Sequence, residues 1–345
     1  MDLRLFSDCT FENNILYFYS ALNGFFGKWD IFGNNRMKYY ELLNEPHNFI
    51  RTISHHGKLY SLESSGKALY IFDIASGRHD WVQIPYNTYE YGNFMDMLVY
   101  KNKIMIFPKY HSEIMVFDPE TGSTERVQYS ADALNTAYCS CLHNNFYYFF
   151  SENGGYVFSI DLDNYQERSS VINEVEDRLV HSVSYGGNIF LLTAGGKVYT
   201  WDTTKKIGIS EVYDFKLLTP AYRIVVTGNR IIILPFHQGD NIFIWDKNTG
   251  HSYVYRDYPR DFSYRASEVW NAYEGMTDIG DFYLYAMRAA NYALLVNKIS
   301  GEIEWRRPQN IDGQLIRIMT ERGERKFYEG EYNLKDYVAY VTDAC

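Results

Sequence analysis

Short apolar runs recur along the chain, separated by turn residues. One set opens on Asn, Gly or Asp: Asn14-Ile-Leu-Tyr17, Gly57-Lys-Leu-Tyr60, Asn102-Lys-Ile-Met105, Asn145-Phe-Tyr-Tyr148, Asn188-Ile-Phe-Leu191, Asn229-Arg-Ile-Ile232 and Asp281-Phe-Tyr-Leu284. A second set follows and ends in Asp: Tyr70-Ile-Phe-Asp73, Met115-Val-Phe-Asp118, Phe158-Ser-Ile-Asp161, Tyr199-Thr-Trp-Asp202 and Phe243-Ile-Trp-Asp246, with Leu294-Leu-Val-Asn297 in the same register. After Asp73, Asp118, Asp246 and Asn297 comes a Gly four residues on, at Gly77, Gly122, Gly250 and Gly301. An Asp or Asn side chain can bond backbone N–H groups two residues on, and Gly accepts positive φ. The pattern therefore predicts a tight hairpin turn with a bulge.

A strand is predicted before each Asn- or Gly-led run, for example at 50–55, 95–100, 137–142, 180–185 and 222–227, and another after each turn. Four strands recur about seven times, without helical periodicity between them. The steps from Asp73 through Asp118, Asp161 and Asp202 to Asp246 are 45, 43, 41 and 44 residues. This period predicts an all-β fold, a seven-bladed β-propeller of four-stranded antiparallel blades. The propeller is expected over residues 1–310. A closing segment of the same domain follows at 311–345. In it Leu334, Tyr337, Val338 and Val341 share a helical face behind Asn333, a good N-cap, so a short C-terminal helix is predicted. The alternative is an eighth blade, since Val341-Thr342-Asp343 falls in the repeat register.

The segment from Tyr70 to Trp81, Tyr-x-Phe-Asp-x-x-x-Gly-x-x-x-Trp, resembles Kelch and quinoprotein-like propeller repeats. The Asp-to-Trp spacing is nearer the quinoprotein type. The Kelch double glycine is matched only approximately, at Gly154-Gly155 and Gly195-Gly196, and Trp201-Asp202 and Trp245-Asp246 lack the Gly-His partner of WD40 repeats. The resemblance implies a fold and no family's active site.

Composition narrows the function classes. Aromatic residues make up 18% of the chain, which suits pleated, half-buried strands. The formal net charge of -10 disfavours nucleic acid and anionic membrane as partners. The first residues lack the basic start and apolar stretch of a signal peptide, so a cytoplasmic protein is expected. Its four cysteines, Cys9, Cys139, Cys141 and Cys345, are too scattered for a disulfide scaffold. Cys139 and Cys141 fall on one side of a strand and are read as buried free thiols. No metal site and no cofactor is predicted.

Binding residues are sought in the loops between repeats and between second and third strands. The step from Asp246 to Asn297 is 51 residues, so the loop from Tyr258 to Trp270 is the long one. Its Arg260, Tyr264, Arg265 and Trp270 combine guanidinium groups that can fork onto carboxylates with flat rings that can stack on a sugar or peptide. Such a loop can equally be held by its own Arg–Asp pairs. Tyr86, Tyr89 and Tyr91 form a second aromatic loop, and His111 and His237 sit in comparable positions. His55, His181 and Arg223 fall on first strands, which are expected to line a channel.

The reading that follows is a non-enzymatic recognition or scaffold propeller that binds a protein, peptide or glycan through its inter-repeat loops. One alternative is a carbohydrate- or peptide-modifying enzyme, a lyase, epimerase or hydrolase, with its site at the channel mouth. The other is a structural subunit of an assembly.

Overall fold

The computed structural model describes residues 8–20, 25–42, 49–63, 68–84, 94–108, 113–130, 137–151, 155–172, 175, 177–205, 208–236, 241–262, 273–287, 292–307 and 310–311. Among these residues every regular element is a β-strand. The helix expected at 333–341 lies outside them.

The strands form seven antiparallel four-stranded blades, as the repeat period predicts, and blade 1 carries a fifth strand. In chain order, the first strands are Asp8–Glu12, Phe49–His55, Phe94–Tyr100, Ala137–His143, Leu179–Tyr185, Ala221–Val226 and Tyr273–Ile279. Each is the edge strand of its sheet. Those of blades 2 to 6 match the ranges predicted before the Asn- and Gly-led runs to within one residue. The predicted turns form: Gly77 N–H donates to the Asp73 carbonyl at 2.9 Å and Gly122 N–H to the Asp118 carbonyl at 2.8 Å. Both glycines sit near φ 70° (69° and 71°), where a side chain would be strained. The Asp73 side chain accepts from Ser76 N–H at 2.7 Å, and these turn bonds hold its carboxyl below the usual range.

Contact density divides the chain into two compact units. The first holds blades 1, 2 and 7. The second holds blades 3 to 6, with the Lys298–Gly301 turn of blade 7. The core of each is a series of apolar layers between successive blades. In the second unit Phe107 of blade 3 lies flat on Tyr147 of blade 4, with centroids 3.8 Å apart. Leu192 and Val198 of blade 5 pack with Ile224, Val226 and Ile231 of blade 6. In the first unit Tyr19 and Phe26 of blade 1 meet Phe49 and Phe72 of blade 2. Burying such a side chain stabilises by about 1.5–3 kcal/mol. Both faces of each blade are apolar for this reason, which accounts for the aromatic content.

After blade 7 the chain returns to blade 1 inside the first unit. Asn310–Ile311 pairs in parallel with the fourth strand, Asn310 opposite Arg36 and Ile311 opposite Met37. Asn35 secures this return. Its carbonyl accepts from Trp29 Nε1 at 2.8 Å, and its amide donates to the Arg307 carbonyl at 2.8 Å.

Blade 1 also contains a tight aromatic–glycine pairing. Gly27 stands opposite Phe18, and a Cβ there would run into the Phe18 ring, which is fully buried. Gly27→Ala is expected to cost about 1–3 kcal/mol through overpacking. Denaturant melts check this, and the double variant Gly27→Ala/Phe18→Leu should lose less than the two single losses added.

Candidate functional site

Six of the seven blades have a β-bulge at the start of the first strand, seen as a register shift after Phe49, Phe94, Ala137, Leu179, Ala221 or Tyr273. The residue just past it pairs with the same position of the second strand in each blade. In the first unit this row is Asp8 opposite Tyr19, Arg51 opposite Leu62, and Gly275 opposite Ala286. In the second unit it is Asp96 opposite Phe107, Cys139 opposite Phe150, His181 opposite Leu192, and Arg223 opposite Leu234. Five of these seven side chains are titratable and strongly polar.

In the first unit the row is tied from blade to blade. Asp8, 2% exposed, accepts from Thr52 N–H in a short bond and faces Arg51 Nη1 at 3.7 Å. Two residues on, Thr10 Oγ1 accepts from Ser54 N–H at 3.0 Å. Two further on, Glu12 Oε1 accepts from Gly57 N–H at 2.9 Å. Gly275 is small because blade 1 lies against it: a Cβ there would be 2.7 Å from Asp8 Oδ1. His55, at the strand end, is half-buried with its ring 3.9 Å from that of His56.

In the second unit the same row links blades 3 to 4 and 5 to 6. Asp96 Oδ2 accepts from Tyr147 O–H at 3.2 Å, and Ser140 Oγ lies 2.7 Å from the same phenol oxygen. Burial, then the Asp96 charge, pushes the Tyr147 phenol well up. Arg223 Nη1 lies 3.1 Å from His181 Nε2. A guanidinium can only donate, so Nε2 accepts and Nδ1 carries the proton. The Ile224 N–H, 3.4 Å from Nδ1, then faces a donor and makes no hydrogen bond there. Burial first, and the Arg223 charge second, hold His181 well below the usual histidine range. His181 and Arg223, both expected from sequence to line a channel, are thus partners of each other.

The remaining chemistry is sequestered. Cys139 and Cys141 are buried thiols outside any disulfide, as read from sequence, and Cys9 is buried as well. Burial pushes the Cys139 thiol up to about 12 and Cys141 further, with the Ser182 hydroxyl offsetting only part, so neither is a thiolate at neutral pH. His143 Nδ1 lies 2.8 Å from Ser184 Oγ, the arrangement of a Ser–His pair, but His143 is 3% exposed and burial lowers its pKa. Among the described residues no group of three or more His, Cys, Asp or Glu could hold a metal.

Of the residues predicted to bind a ligand, Tyr86, Tyr89, Tyr91, His111, His237, Tyr264, Arg265 and Trp270 lie outside the described residues. Arg260 is described and exposed. The foot of its loop is anchored on blade 7. Tyr258 and Phe262 lie 5.3 Å and 5.1 Å from the Trp305 ring. Asp261 Oδ1 accepts from Tyr292 O–H at 2.7 Å, and its Oδ2 takes a short bond from Arg307. The Tyr292 bond is the largest cause holding the Asp261 carboxyl below its usual range. Tyr292 follows the loop between the second and third strands of blade 7. Two loops are therefore tied at their feet by one carboxylate. The expected Arg–Asp pair exists, but Arg307 of the blade supplies it. Neither Tyr292 nor Arg307 was singled out from sequence, because their convergence depends on the pairing of the third and fourth strands.

The comparisons with known proteins agree on the fold alone. No family model matches the chain, and no curated protein matches it. A streptogramin B lyase structure aligns with TM-score 0.61 at 15% identity, covering 82% of this chain and 91% of that one. Virginiamycin B lyase from Staphylococcus aureus aligns with TM-score 0.54 at 13% identity, over 77% of this chain and 88% of that one. Hsv2 of Kluyveromyces lactis aligns with TM-score 0.54 at 9% identity, over 88% and 97%. The chain has the fold of a seven-bladed β-propeller, shared with a lyase and with Hsv2. The Kelch type has no specific counterpart among these neighbours.

The imidazole of His181 yields a pH prediction. Its folded pKa lies below the unfolded value of about 6.5, so the unfolded chain binds the proton first. Its contribution is fully present above about pH 6.5 and is lost as pH falls through the folded pKa. His143 has the same sign. Thermal melts from pH 7.5 downward, in steps of about one unit, should show falling stability, by at most about 1.4 kcal/mol per unit for one proton. His181→Gln, which keeps a neutral acceptor, should flatten the slope.

Proposed function

We infer that the chain is a non-enzymatic recognition propeller that binds a protein, peptide or glycan through its inter-blade loops, chiefly the long loop beginning at Tyr258. The observation that carries this reading is the double anchor at that loop's foot: Asp261 held by Tyr292 and Arg307, and Tyr258 with Phe262 on Trp305. A loop fixed at its base loses less entropy on binding, which favours affinity. The Arg and aromatic residues further along it are contact types enriched at recognition surfaces. The first-strand polar row supports the same reading, since Asp8, Asp96, His181 and Arg223 are engaged between blades.

A second reading, an acid–base enzyme such as a lyase, is favoured by the likeness in fold to streptogramin B lyase. It requires a His or Tyr that titrates within a polar pocket. Product formation from a streptogramin B substrate by the wild-type chain would replace the first reading with this one.

Glycan and peptide arrays probed with the intact chain test the recognition reading. A bound ligand is expected, with affinity reduced about tenfold or more by Arg265→Ala and Trp270→Ala, a loss of about 1.4 kcal/mol or more. Asp261→Ala should also weaken binding by loosening the loop, while the thermal midpoint stays close to wild type. Arrays that yield no ligand, or variants that all bind as wild type does, would sink the assignment.

A further inference from the structure

The second candidate surface lies on the hairpin-turn end of blade 1, at the opposite end of the strands from the Tyr258 loop. Phe32 occupies the second position after the Asp of its turn and is 44% exposed. The equivalent positions in the other six turns are Ala75, Glu120, Asp163, Thr204, Asn248 and Ile299. Four are polar, one is small, and Ile299 is itself apolar and 73% exposed, so the turn tolerates a large apolar residue without needing one. Gly33 N–H and Asn34 N–H donate to Asp30 at 2.9 Å and 3.0 Å, and these bonds shape the turn whatever stands at position 32.

Phe32 is not alone. It meets Phe11 edge-on, with centroids 6.2 Å apart and planes at 87°, and Phe282 at 6.2 Å. Phe11 and Phe282 are themselves half-buried. Three aromatic rings, from blade 1 and from the second strand of blade 7, thus share one partly exposed surface. An apolar cluster of this kind on a soluble face marks an interaction site more often than a fold requirement. Two carboxylates border it: Asp281, exposed, immediately precedes Phe282, and Asp30 belongs to the turn that carries Phe32. Lys28 and Arg36 flank the turn in the chain.

We propose that Phe11, Phe32 and Phe282 form a docking patch for a basic segment of a partner protein, one in which an apolar side chain is flanked by Lys or Arg. The apolar anchor would enter among the three rings, where aromatic contacts are strongest. The flanking cations would face Asp281 and Asp30, so complementarity would speed association and exclude acidic competitors. The overall charge of -10 acts in the same direction at longer range.

The test uses the full chain and two labelled peptide pools, each with Leu or Phe at the centre. One pool has Lys and Arg flanks and the other Glu flanks. Fluorescence anisotropy should show binding of the basic pool only, weakening as salt is raised. Phe32→Ser should lower the affinity about tenfold or more. Asp281→Lys should weaken binding with no change at the patch's apolar centre, and it serves as the test if Phe32→Ser fails to fold. Asp261→Ala should leave this binding unchanged, which separates failure here from failure of the loop assignment. Equal binding of both pools, binding of neither, or indifference to both substitutions overturns the proposal. So does sedimentation showing a wild-type dimer that Phe32→Ser dissociates, since a second copy would then be the occupant.

Discussion

The first strand of every blade is a sheet edge, and that places a constraint on its backbone. Alternate residues of an edge strand turn their N–H groups away from the sheet, and buried donors without acceptors are costly. No fifth strand closes this edge. The first unit solves the problem with side chains. Asp8, Thr10 and Glu12 project from blade 1 at intervals of two and receive Thr52, Ser54 and Gly57 N–H of blade 2. They act as a ladder made of side-chain oxygens. For Thr52 and Ser54 the spacing works because a strand's side chains repeat every two residues, as its outward N–H groups do, and Gly57 N–H belongs to the turn just past the strand end.

This constraint explains why a polar row runs through an otherwise apolar core. In blade 5, His181 stands where Asp8 stands in blade 1, but its single acceptor goes to Arg223. In blade 3, Asp96 reaches Tyr147 of the neighbouring blade. The same register position thus carries a carboxylate, an imidazole or a guanidinium, and each contacts a neighbouring blade. Residues that read as catalytic by type are therefore explained first by packing. The depressed His181 pKa follows from that role: burial in the seam penalises the charged imidazole first, and the neighbouring guanidinium repels it second, so the neutral form is favoured.

Much of the fold was legible in the sequence because its signals are local. The Asp-x-x-x-Gly turns and Asn-led hairpins encode their conformations in adjacent residues, as Asp73 and Gly77 show. The polar row was not legible. A bulge inserts one residue at the start of six first strands, and a shift of one residue exchanges the faces of a strand. Without that register, His181 and Arg223 could be placed on first strands but not joined to each other. Asp8, Arg51 and Asp96 could not be assigned to the row at all. The anchor of the long loop was hidden for a related reason. Asp261 meets Arg307 across 46 residues, and only the pairing of Ala293 with Arg306 brings Tyr292 beside it.

The repeat also separates what the scaffold demands from what it merely permits. Where seven equivalent positions share a requirement, their residues converge, as the Asp or Asn before each turn does. Where one position departs without relieving a constraint, the departure needs another cause. Gly275 departs from a polar row and is explained by the approach of Asp8. Asn35 departs and is explained by its bonds to Trp29 and Arg307, which hold the returning chain. Phe32 departs from a set of mostly polar turn residues and relieves nothing, because the backbone bonds to Asp30 already make the turn. Its ring, half in water beside Phe11 and Phe282, would be better replaced by Ser or Thr if stability alone were at stake. Ile299 at the same position of another turn is also apolar and exposed, so it is the gathering of Phe32 with Phe11 and Phe282, and not the apolar residue alone, that points to something outside the chain.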